Sequence, residues 1–176
     1  MGAMRRMAIA VATAAMLAVT GCGYHSLGAA THLPPDARTL AVPMFATRSE
    51  AYRTEERMTG AVIREFAERT RLRVTPNGTD DADLVLHGTI LQETVQPLTY
   101  NTTTQQSSSF LITVVAAVKL QERDGRVLYE NNKYVFRQQY QSTTDLPTFL
   151  DESPAAEERL SRDFARALVA DVMEGM

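Results

Sequence analysis

From Phe110 to Gln121 apolar residues alternate strictly. Phe110, Ile112, Val114, Ala116, Val118 and Leu120 share one face, and Leu111, Thr113, Val115 and Ala117 share the other. Period two predicts a β-strand. The second face is unusually apolar for one open to water, so either something covers both faces or the strand is central. Weaker alternation predicts strands over Arg38 to Phe45 (Leu40, Val42, Met44), Leu72 to Thr75, Ala82 to Leu98 (Leu84, Leu86, Ile90) and Val127 to Tyr140 (Leu128, Tyr134, Phe136, Tyr140 on one parity). Pro43 cannot donate to a ladder, which puts an edge or a strand end there, and Gly88 predicts a bend.

Two segments change period. In Thr54 to Thr70, Met58, Val62 and Phe66 recur every four residues with Ala61 and Ile63 beside them, which predicts a helix capped by Thr54. Glu55 and Glu56 favour its positive end, and Glu65 and Arg69 form an i,i+4 pair. From Ser153, Leu160, Phe164, Leu168 and Val172 repeat in the same way, ending near Gly175. Ser153 suits the N-cap and Pro154 the first helical position. The polar side of this helix mixes signs without a basic excess, so it is expected to pack on a sheet rather than lie on a membrane.

Turn chemistry supplies the joints. Pro76-Asn77-Gly78 closes the Leu72 strand, and Glu122-Arg123-Asp124-Gly125-Arg126 is a hairpin turn centred on Asp-Gly. Tyr100 to Ser109 is uncharged and rich in Thr, Ser and Gln, which predicts a long hairpin end or loop. Asp80, Asp81 and Asp83 invite a calcium reading, but the central Gly and closing Glu of such a loop are missing, which leaves a solvated turn. The expected architecture is α+β: a mixed four- to five-stranded sheet with two helices packed on one face.

The first residues have a different logic. Arg5 and Arg6 precede Met7 to Val19, which is 13 residues long and carries no charge. That is the length of a signal-peptide h-region and too short to span a bilayer. Val19-Thr20-Gly21-Cys22 follows, and resembles the bacterial lipobox. The resemblance implies cleavage before Cys22, a diacylglycerol on its sulfur and an acyl chain on its new amine. Residues 1–21 are then a lipoprotein signal peptide, 22–37 a lipidated tether and 38–176 the domain. Gly23 to Ala37, with Gly23, Gly28, Pro34 and Pro35, reads as that tether, with a short first strand as the alternative. Gly rather than Asp at position 23 favours the outer membrane, by resemblance to the enterobacterial sorting rule.

Composition closes off other classes. The formal net charge of −3 argues against a nucleic-acid binder. Removing Arg5 and Arg6 leaves 16 basic and 21 acidic side chains, a net of −5. One cysteine makes neither an internal disulfide nor a cysteine-rich zinc site, and His25, His32 and His87 are scattered. His87 is read as structural. There is no nucleophile elbow and no phosphate-cradling Gly loop, and the carboxylates Asp145, Asp151 and Glu152 carry no mark of a cleft. No enzyme, metal or cofactor is expected beyond the covalent lipid on Cys22.

The segments together resemble the LptE family of lipopolysaccharide-assembly lipoproteins. The resemblance runs through Gly21-Cys22-Gly23-Tyr24-His25, Leu40-Ala41-Val42-Pro43-Met44-Phe45, Glu56-Arg57-Met58-Thr59-Gly60-Ala61-Val62, Ala82-Asp83-Leu84-Val85-Leu86-His87-Gly88-Thr89-Ile90 and the closing helix Leu160 to Met173. It implies an outer-membrane, periplasm-facing lipoprotein that plugs the LptD β-barrel, helps it assemble and binds lipopolysaccharide. Tyr100, Asn101, Thr103, Gln105 and Phe110 are the candidate partner contacts. Thr99 to Ser109 has no charge; the basic residues nearest the strand ends are Lys119, Arg123, Arg126, Lys133 and Arg137, and of these Lys119, Arg123, Lys133 and Arg137 are the candidate lipopolysaccharide contacts. A lipoprotein accessory of a secretion system, or an activator of cell-wall synthases, is the alternative.

Overall fold

A computed structural model of the chain describes residues 32–48, 53–77, 81–101, 106–143 and 150–175. The elements are β1 (Thr39–Ala41), β2 (Ala46–Thr47), α1 (Thr54–Arg69), β3 (Arg73–Thr75), β4 (Leu84–Asn101), β5 (Gln106–Glu122), β6 (Val127–Thr143), β7 (Leu150–Asp151) and α2 (Ser153–Glu174). The sheet order is β3-β1-β4-β5-β6-β7, with β2 also alongside β4. β1 runs parallel to β3 and β4, and β4, β5 and β6 are antiparallel neighbours. The sheet is thus mixed, with five main strands and two-residue additions at β2 and β7. β5 lies between two long strands, so the doubly apolar strand is the central one.

Both helices lie on one face. Met58, Val62 and Phe66 of α1 and Leu160, Phe164, Leu168 and Val172 of α2 join Leu84, Leu86, Ile90, Ile112, Val114, Ala116, Val118 and Leu120 in one core. Phe164 sits at its centre, edge-on to Phe45, Tyr134 and Phe136 at centroid distances of 6.1, 5.7 and 5.5 Å. The four-residue apolar stripes produced this directly, because they turn one side of each helix to the sheet.

Several local expectations are corrected. The first strand stops at Ala41: the Val42 amide still bonds Thr75 O at 2.8 Å, and Pro43 then offers no donor. The N-cap of α1 is Arg53, with φ 63°, and Thr54 sits inside the first turn, buried, its Oγ1 capping nothing. Likewise Glu152 precedes α2 and Ser153 is already helical. Pro154 is tolerated there because first-turn amides have no intrahelical acceptor. The ladder of β4 shifts between Ile90 and Gln92 rather than at Gly88. Gly88 instead makes room for Phe45, whose ring would lie 2.4 Å from an added Cβ.

β6 departs from simple alternation. Register shifts fall between the partners of Ala116 and Val118 and between those of Leu120 and Gln121. Tyr129, not Leu128, is therefore the buried residue opposite Leu120, while Leu128 is partly buried. The expected hairpin end is also shorter than its polarity suggested, because β4 runs to Asn101 and β5 begins at Gln106.

Residues 32–37, at the end of the expected tether, form no strand. Leu33 and Ala37 pack against the core, and the His32 ring lies against Gly175 after α2. The signal peptide, Cys22 and residues 23–31 lie outside the described residues.

Candidate functional site

The sheet face opposite the helices carries the most distinctive surface. Its centre is the second face of β5: Leu111, Thr113, Val115 and Ala117, each partly buried between flanking strands. On β4 these residues pair with Gln96, Thr94, Gln92 and Thr89. On β6, Leu111, Thr113 and Val115 pair with Gln139, Arg137 and Val135. Both helices belong to the core on the other side, so among the described residues no helix covers this face.

Cations gather along the β6 side of the face. Arg137 is opposite Thr113, and Lys133 shares its parity within β6, so Lys133 and Arg137 lie about 13 Å apart along the strand. Both are exposed and neither makes an ion pair among the described residues. Lys119 joins them from β5, where it faces His87 on one side and Glu130 on the other. Three of the four candidate lipopolysaccharide contacts thus converge on one face.

Arg123 does not. Its guanidinium bonds Ala82 O at 3.1 Å, Asp81 O, and Asp83 Oδ1 at 3.4 Å, which ties the β5–β6 turn to the start of β4. Asp83 is held from the other side by the amides of Arg38 and Thr39 and by the Thr39 hydroxyl, at 2.9, 3.0 and 2.9 Å. The Arg38 amide first, and then the Thr39 hydroxyl, hold the Asp83 carboxyl below its ordinary range. Both its oxygens serve protein donors, which is a structural role. Asp80 lies outside the described residues.

The second feature is the far end of the β4–β5 hairpin. Glu93 and Lys119 bracket 25 consecutive residues, 94–118, without a charge. On the helix side of this end, Phe110 stacks on Tyr140 at 5.2 Å and Val95, opposite Ile112, is 50% exposed; Leu98, at the ladder shift, is 49% exposed. Of the candidate partner contacts, Phe110 is in β5, and Tyr100 and Asn101 are the last residues of β4. Thr103 and Gln105 lie outside the described residues. Sequence reasoning stopped at the polar stretch and missed Val95, Leu98 and Val135. The signal available was the length of the charge-free run, more than twice that of the polar tip.

Among the described residues no three His, Cys, Asp or Glu side chains stand together as metal ligands, and no helix is long and apolar enough to cross a membrane. The fold and its surfaces define a two-layer α+β domain: a helix-covered core, a bare sheet face edged with cations and a long neutral hairpin.

The comparisons narrow the class to a family. The chain belongs to the LptE family, whose model, described as Lipopolysaccharide-assembly, matches residues 37–172. Its fold is similar to that of protein XCC0632 from Xanthomonas campestris (15% identity, TM-score 0.52, covering 81% of this chain and 90% of that one). A chain from Caulobacter crescentus CB15 named as a lipoprotein is 12% identical at a TM-score of 0.50, over 74% of this chain and 88% of its own. The rare lipoprotein B of Shewanella oneidensis is a looser likeness, at 12% identity and a TM-score of 0.40 over 79% and 93% of the two chains. A sequence search of curated proteins gives no match.

Proposed function

We propose that this chain is a non-enzymatic outer-membrane lipoprotein, anchored on the periplasmic side through lipid on Cys22. In this reading it plugs an LptD-like barrel, helps it assemble and contacts lipopolysaccharide during insertion into the outer leaflet. Two or three acyl chains would hold it far more firmly than one, at about 0.8 kcal/mol per buried methylene. The observation that carries the reading is the charge-free hairpin. A neutral sheet of hydroxyl, amide and apolar side chains loses little on desolvation against a partner's wall, whereas buried unpaired charges would cost heavily. Lys119, Lys133 and Arg137 offer cations to the phosphates of a polyanionic lipid.

The test is a photo-crosslinker at Gln105 in intact cells, with the trapped partner identified by mass spectrometry. An LptD-like barrel is the expected product. A secretion component, a cell-wall synthase or no adduct overturns the plug reading. Separately, Cys22→Ala should abolish acyl-chain labelling and release the protein from the membrane fraction; an unchanged distribution refutes the anchor.

A further inference from the structure

A buried network on the helix side of β6 lies directly behind the cationic face. Tyr134 donates to Asp171 Oδ2 at 2.6 Å, Tyr129 reaches the same oxygen at 3.5 Å, and the two phenol oxygens bond each other. Tyr129 and Tyr134 are five residues apart, so in an unbroken strand they would face opposite sides. They face the same side because the ladder shifts between them: Tyr129 pairs with Leu120, Asn131 with Val118 and Tyr134 with Ala116. The extra residue falls at Asn131–Lys133, and Asn131 Oδ1 accepts the Lys133 amide at 2.9 Å, closing the bulge. Asp171 lies in the last turns of α2, where the helix dipole disfavours an acid and no basic residue compensates. Tyr134 supplies the compensating donor, and Tyr129 donates in turn to the Tyr134 oxygen.

We infer that Asp171, Tyr129 and Tyr134 are positioning residues for the opposite face: they hold the bulge that decides which β6 side chains meet an anion. With the bulge in place, Glu130 faces outward across from Lys119, and Lys133 and Arg137 are left as unpaired cations. Without it, with the Leu120–Tyr129 pairing kept at the turn end, Tyr134 would turn outward and Lys133 and Arg137 inward, since a slip of one residue reverses every side chain it reaches. Bulges commonly re-aim a side chain in this way. The inference rests on the proposed lipopolysaccharide contact and adds the residues that shape it.

The test measures binding of purified lipopolysaccharide to the full lipidated chain, together with amide exchange across residues 128–135. Tyr134→Phe should speed exchange there and weaken binding by roughly two- to tenfold, the scale of one hydrogen bond's net worth. Asp171→Asn, which keeps an acceptor, should fall between it and the parent. Leu168→Val loosens the same helix without touching the network and should leave binding unchanged. Faster exchange with unchanged affinity overturns the inference and leaves the proposed function standing. Equal losses for Leu168→Val and Tyr134→Phe also overturn it, by showing a merely structural role. A parent chain that binds no lipopolysaccharide removes the lipid contact itself, and the inference with it.

Discussion

Gly88 offers a sharp test of how the core is assembled. A Cβ built there would lie 2.4 Å from Phe45 Cε2 and 2.5 Å from Cδ2 and Cζ. Carbon atoms pack at about 3.5–4.0 Å, so the ring would have to retreat by about 1 Å or more. It has nowhere to go, because Phe45 is 2% exposed and meets Phe164 edge-on at 6.1 Å. Overpacking of this kind costs about 1–3 kcal/mol. Relief of the glycine's strand penalty returns about 0.5–1 kcal/mol. Gly88→Ala should therefore lose up to about 2.5 kcal/mol, a fall of up to about 10 °C in Tm for a chain of this size. Phe45→Ala alone should lose about 3–5 kcal/mol. In the Phe45→Ala background the clash is gone, and Gly88→Ala should become neutral or stabilising. The two changes should thus couple by about 1–3 kcal/mol, read from urea unfolding of the four proteins. Additivity within about 0.5 kcal/mol would refute the account of Gly88 as the seat of Phe45.

Other consequences are checked as directly. Asp83 is held below the ordinary carboxyl value of 3.8, so its stabilisation is complete above that pH and is lost as pH falls through the lower folded value. Asp83→Asn should therefore be less stable than the parent at pH 7 and converge with it in acid; parallel pH–stability curves would contradict this. Phe164→Ala removes the aromatic that meets Phe45, Tyr134 and Phe136, and should cost about 3–5 kcal/mol in urea melts. Arg137→Glu reverses a charge on the bare sheet face and should weaken lipopolysaccharide binding most at low salt, with the melting temperature nearly unchanged. Equal affinity across a salt series would remove Arg137 from the contact.

Long, regular patterns were legible in the sequence because burial enforces them. The period-two run of β5 and the four-residue stripes of Met58, Val62 and Phe66, and of Leu160, Phe164, Leu168 and Val172, each became core. The illegible parts are those where a nonlocal partner decides. Alternation groups Leu128 with Tyr134 because it assumes an unbroken ladder, and the register shifts in β6 bury Tyr129 instead. The sequence points to a bend at Gly88 because it cannot show the Phe45 ring above it. Its place near a strand end groups Arg123 with the candidate lipopolysaccharide contacts. The carbonyls of Asp81 and Ala82, some forty residues earlier, claim it. The polar run at Tyr100 to Ser109 pointed to a loop by its hydrophilicity and to a strand by its threonines. Antiparallel pairing, such as Thr99 with Ser109 and Asn101 with Gln106, decided much of it for the strand.

The two surfaces are best explained together. Beyond Ile90, where β2 leaves it, the outer edge of β4 has no partner strand among the described residues, and β6 is joined there only by β7 at Ser142 and Thr143. Long open edges invite pairing with other chains, and proteins blunt them with proline, bulges and charge. β6 uses a bulge, Lys133 and Arg137; β4 has Pro97 and a ladder shift beside it, but no charge after Glu93. Its Val95 and Leu98 stand half exposed where a lysine would protect the edge. A strand that forgoes this protection over its far half is better suited to a surface that meets a partner than to one that must stay in water. The cations of β6 lie one strand beyond the apolar row of β5, so the same bare face presents neutral surface at its centre and positive charge along its margin. Under the proposed function, the neutral hairpin would meet a protein wall and the positive margin a phosphate-bearing lipid.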